Sequence, residues 1–73
     1  MAAIDNGVVA RVYQAISASI EDRDQLETHA SLPIRRSIRR AWESEAGRRL
    51  TPDELDLIRE LFLAEYLRAI GRA

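Results

Sequence analysis

Large apolar residues recur at helical spacing in three stretches of the chain. Between Asp5 and Asp22 they are Val9, Val12, Tyr13, Ile16 and Ile20, at steps of three and four, with Arg11, Gln14, Ser17 and Glu21 opposite. This pattern predicts a helix that is packed on one face and wet on the other, with Asp5 or Asn6 placed to cap it. Its β-branched residues lower its intrinsic helicity, so packing has to hold it. A second stripe of Ile34, Ile38, Ala41, Trp42 and Glu45 predicts a helix that Ser31 caps, with Pro33 in its first turn, and that stops before Gly47.

The third stretch, Thr51 to Gly71, has the clearest start. Thr51 and Glu54 stand at the spacing of a capping box, Pro52 occupies the first helical position, and Asp53, Glu54 and Asp56 suit the positive end of the helix dipole. Between the first two helices, Asp22 to Ser31 is polar apart from Leu26 and reads as a fraying helix end leading into a loop. The link from Gly47 to Thr51 is short, which predicts that the second and third helices are neighbours, packed antiparallel or as a steep corner. Strand-like alternation and internal repeats are absent. The expectation is one all-α domain over residues 1–73, a small three-helix bundle with helices at about 5–22, 32–46 and 52–70.

The third helix carries more apolar surface than two neighbours can cover. Leu55, Ile58, Phe62, Tyr66 and Ala69 form one sector, Leu57, Leu61 and Ala64 another, and Leu63, Leu67 and Ile70 a third. A helix that is apolar nearly all round needs cover nearly all round. Leaving leucine-sized side chains wet forgoes about 1.5 to 3 kcal/mol each, a large share of a small domain's stability. The expectation is a homodimer, or a complex with another protein, through Leu63, Leu67 and Ile70.

Composition narrows the function classes. The chain has no cysteine, so disulfides and thiolate chemistry are excluded, which fits a reducing compartment. The opening MAAIDNGVVARVY lacks the basic start and apolar run of a signal peptide, and no apolar run is long enough to span a membrane. A cytoplasmic protein without membrane contact is expected. Eleven basic residues nearly cancel twelve acidic ones, which argues against the broad positive field of most nucleic-acid binders. With 47% hydrophobic residues the chain is too apolar for disorder. Every basic residue other than His29 is arginine, a side chain suited to bidentate pairing with carboxylates or phosphates.

The sharpest local feature is RRSIRR, where Arg35, Arg36, Arg39 and Arg40 fall in one sector of the second helix, with Arg48 and Arg49 following in the turn. Such a ridge suits an acidic protein surface or phosphates. Alternatively it is a solvated face, with Arg39 and Arg40 paired to Glu43 within the helix and Arg48 and Arg49 near Asp53, Glu54 and Asp56. A helix-turn-helix reading meets an obstacle: the recognition helix would begin TPDELD, three carboxylates where phosphate contacts are normally made. The phrase LTPDELDLIRELF resembles the entering helix of EF-hand proteins over thirteen residues. The residues after it lack the spaced oxygen ligands of a calcium loop, so the shared feature is capping chemistry.

Other residues with chemical potential have bland readings. His29, the single histidine, sits in the polar link and reads as a surface residue, and Asp22, Asp24 and Glu27 read as solvated acids. Trp42 and Tyr66 continue apolar rows and read as core, with the Trp42 indole N–H near the surface. No catalytic set, metal site or cofactor cradle is expected. The expectation is a small non-enzymatic regulator, adaptor or inhibitor that binds another protein. Its apolar contact is the C-terminal helix and its polar contacts are Arg35, Arg36, Arg39, Arg40, Arg48 and Arg49. The alternative is a DNA- or RNA-binding regulator using Arg35 to Arg40.

Overall fold

The computed structural model describes residues 4–71, so part of the leader reading, on residues 1–3, lies outside it. The described residues form four helices and no strand: α1 (Asn6–Ser19), α2 (Arg23–Ala30), α3 (Arg36–Ala46) and α4 (Pro52–Gly71). The all-α expectation holds, but the number of helices is corrected from three to four.

Each boundary has a local cause. The Asp5 carboxylate accepts from the N–H groups of Gly7 and Val8 at 3.0 and 3.1 Å and starts α1. The helix ends at Ser19, because Ile20 turns to extended backbone while its N–H still reaches the Ser17 carbonyl. The expected run to residue 22 therefore overshoots, and a new helix follows it: Asp22 caps α2 by accepting from the Gln25 N–H at 2.9 Å, and Gln25 Oε1 accepts from the Glu21 N–H. The stretch expected to be a loop is a helix that buries Leu26 and Ala30. Ser31 belongs to the end of this helix, with its hydroxyl donating to the Glu27 carbonyl at 2.7 Å, and does not cap the next one. Pro33 disfavours helical backbone at Leu32, and α3 begins only at Arg36. Gly47, at φ 75°, ends α3 in the left-handed conformation that glycine adopts without penalty.

The core is made by Val9, Val12 and Ile16 of α1, Leu26 and Ala30 of α2, Ile38, Trp42 and Ala46 of α3, Leu50 of the link, and Ile58 and Phe62 of α4. In α3 the buried row is thus Ile38, Trp42 and Ala46, at an interval of four, with Ile34 half-buried, whereas the expected members Ala41 and Glu45 are exposed. Aromatic rings converge on Phe62, with Tyr13 at 4.9 Å, His29 at 5.3 Å and Trp42 stacked at 5.8 Å between ring centroids. Trp42 is fully buried and its indole Nε1 has no hydrogen-bond partner, so the expected surface position of that N–H is corrected.

Helices α3 and α4 are consecutive yet share little backbone proximity, so of the two expected arrangements, antiparallel packing and a steep corner, the antiparallel one is not formed. They meet through the Trp42–Phe62 stack, while α1 lies against both of them and α2 lies along α4. Helix α1 runs in the direction of α4, since Asp5 bonds to Glu54 and Tyr13 to Glu65. Helix α2 runs against it, with the Ala30 carbonyl at Arg59 and Leu26 beside Glu65 and Ala69. Arginines close two helix C-termini: Arg11 donates to the Ala46 carbonyl at 2.8 Å and Arg59 to that of Ala30 at 3.3 Å. Cations at these negative ends also suit the helix dipoles.

Candidate interaction surfaces

The six arginines between Arg35 and Arg49 divide into two groups. Arg48 is committed to the fold. Its Nη1 and Nη2 donate to Glu54 Oε1 and Oε2 at 2.9 and 2.8 Å, a two-pronged pair, and Nη1 also reaches the Arg49 carbonyl. The Glu54 carboxylate additionally accepts from the N–H groups of Thr51 and Asp5, both at 3.0 Å, and the Glu54 N–H donates to Thr51 Oγ1. The expected capping box is therefore present, but its glutamate does more than cap. It is fully buried, and it joins the start of α1, the α3–α4 link and the first turn of α4.

Arg48 and the backbone donors hold the Glu54 carboxyl well below the usual carboxylate range, against the opposing effect of burial. Glu54 in turn holds the guanidinium of Arg48 above its ordinary value. Sequence spacing pointed to a contact between Arg48 and the acids of the third helix. The depth of that contact was not legible, because glutamate at a helix start is ordinarily exposed.

Arg35, Arg36, Arg39, Arg40 and Arg49 are exposed, and none has a carboxylate within 4 Å among the described residues, where Arg48–Glu54 is the only ion pair. The pairs expected between Glu43 and Arg39 or Arg40 are not formed. Glu43 Oε2 instead accepts from the Leu50 N–H at 3.0 Å and anchors the link after α3. On α3, Arg36 and Arg40 lie on the sector away from Ile38, Trp42 and Ala46, and Arg39 flanks that row. Arg35 is at the N-cap position with no side-chain cap, and no acidic residue occupies the first turn. Cations there oppose the helix dipole. Beside this ridge, Arg39, Glu43, Arg49, Leu50, Pro52 and Leu55 line an open cleft of about 230 Å³ between α3 and the start of α4.

The stripe of Leu63, Leu67 and Ile70 lies on the side of α4 opposite Ile58 and Phe62. Leu67 is 53% exposed, Ile70 38%, and Leu63 is half-buried. Leu55, Leu57, Leu61 and Tyr66, in the two sectors expected to be covered, are half-buried against the core, and so is Leu63 of the third sector, which was expected to lack cover. Ahead of the stripe, Asp56 and Glu60 continue the same face.

His29 is half-buried against Phe62, and its Nδ1 lies 2.8 Å from the Gln25 carbonyl, to which it donates. Its expected place in a surface loop is corrected, since α2 turns it toward the core. Tyr13 donates a hydrogen bond to Glu65, and burial, then Glu65, raises its phenol above the ordinary value. Among the described residues no cluster of histidine and carboxylate side chains could hold a metal ion, and no helix is long and apolar enough to cross a membrane. No protein-family model, no curated protein and no solved structure matches the chain.

Proposed function

We propose that this chain is a small cytoplasmic regulator, adaptor or inhibitor that acts by binding protein and has no enzymatic activity of its own. The observation that carries this reading is the pair of exposed residues Leu67 and Ile70, with half-buried Leu63 beside them, on the outer side of the longest helix. Covering Leu67 and Ile70 would recover about 1 kcal/mol each, half of what full burial from water gives. A stable interface removes about 800 Å² from each partner, so the stripe needs a surrounding polar rim. Unpaired arginines supply orientation and speed of encounter rather than bulk affinity.

In this reading α4 also brings two copies together around a two-fold axis near Leu67. Sedimentation of the full chain and of Leu67→Glu tests it: the parent sediments as a dimer or captures a protein partner, and the variant does neither. A parent that stays monomeric and recovers no protein removes the reading. A second reading, a DNA- or RNA-binding regulator, draws on the four unpaired arginines Arg35, Arg36, Arg39 and Arg40. Its mark is a mobility shift that weakens steeply with salt and disappears on Arg→Glu substitution.

A further inference from the structure

We propose that the cleft between α3 and the start of α4 docks an acidic, leucine-bearing segment of a partner protein, with Arg39 and Arg49 pairing its carboxylates. Leu50, Pro52 and Leu55 form the apolar part of the cleft lining and receive the leucine. This proposal rests on the protein-binding reading above and names the chemistry of the partner.

Charge complementarity identifies the occupant. Two arginines from different elements line one cleft, and neither has a carboxylate within 4 Å among the described residues. The one acid in the lining, Glu43, is turned to the Leu50 N–H and forms no ion pair with either arginine, so the lining keeps a net charge of one positive. Arg48, between them in the chain, shows what a satisfied arginine looks like in this molecule. Arg36 and Arg40 are exposed along the same helix and extend the positive field that draws an acidic segment in. An arginine pair over an apolar floor fits a carboxylate next to a leucine better than it fits a phosphodiester chain. No aromatic side chain lines the cleft to stack a base.

The test is fluorescence anisotropy of the full chain with a short fluorescein-labelled peptide in which glutamates flank leucines. The parent binds, and each of Arg39→Gln and Arg49→Gln weakens binding about tenfold, as expected for loss of a charge-assisted contact. Both positions are exposed, and unchanged circular dichroism shows that the variants fold. Arg23→Gln, an equal charge change outside the cleft, leaves the affinity within about twofold. Replacing the peptide's glutamates by glutamine or its leucines by serine abolishes the signal.

Equal binding of the glutamine peptide, an unchanged affinity in both cleft variants, or preference for a labelled single-stranded oligonucleotide overturns the proposal. So does self-association that disappears in Arg39→Gln and Arg49→Gln without peptide binding, which makes a second copy the occupant. Leu67→Glu retains peptide binding, so failure of the cleft is distinguishable from failure of the α4 interface.

Discussion

Arg48 in the α3–α4 link and the arginines of α3 show one side chain used in opposite ways, and Arg49, next to Arg48, is unpaired like those of α3. Arg48 meets a buried carboxylate in a two-pronged pair, and the carboxylate's other contacts are backbone N–H groups that would otherwise lack partners. Arg36, Arg39 and Arg40 meet no carboxylate, and Arg36 sits where the helix dipole disfavours it. The first arrangement contributes to stability. The second contributes little to it or opposes it, so these residues are free to serve recognition.

The sharpest way to break this comparison is Arg48→Ala. It leaves Glu54 fully buried and charged with only backbone donors, and a loss of about 3 kcal/mol is expected in urea unfolding. Glu54→Gln should cost less, about 2 kcal/mol, because Arg48 is 43% exposed and can turn to water. Replacing both, as Arg48→Met with Glu54→Leu, should be less destabilising than Arg48→Ala alone, since no buried charge is left unpaired.

Acid sharpens the same contrast. The Glu54 carboxyl is depressed in the folded state, so its contribution is fully present above the unfolded value of about 4.3 and is lost as pH falls toward the folded one. Stability of the parent measured by thermal unfolding should therefore decline as pH falls through the carboxylate range. Glu54→Gln should follow a flatter course there.

On the ridge the expected effects are small and the sign changes. Arg40→Ala should stay within about 0.5 kcal/mol of the parent. Arg36→Glu should stabilise by a few tenths, because it places a negative charge in the first turn of α3. A loss of 2 kcal/mol or more at either position, on the scale of a buried contact, would show that the ridge carries structure as the Arg48–Glu54 pair does.

How much could be read beforehand differs between particular residues. Thr51, Pro52 and Glu54 announced the start of α4, Gly47 the end of α3 and Asp5 the start of α1, because capping is local chemistry within a few residues. The apolar rows through Val9, Val12 and Ile16 and through Ile58 and Phe62 were equally plain. Helix α2 was not, since Leu26 is its only large apolar residue and periodicity needs more than one. Its signal was the Asp22–Gln25 spacing, which matches a capping box as well as Thr51–Glu54 does. The cleft was invisible for another reason: Arg39, Arg49 and Leu55 belong to three different segments, and no spacing rule relates them.

By itself, the sequence determined that this protein is helical, where α1 and α4 begin and α3 ends, and most of the large apolar side chains of its core. Those follow from interactions spanning three or four residues, repeated along the chain. Only the tertiary structure decided that α1 and α2, rather than α3, lie along α4, that Glu54 is buried under Arg48, and which arginines are left without a carboxylate. Pairing of a charge depends on what the fold brings within about 4 Å of it and on how much water remains there. Neither is a property of neighbours in sequence.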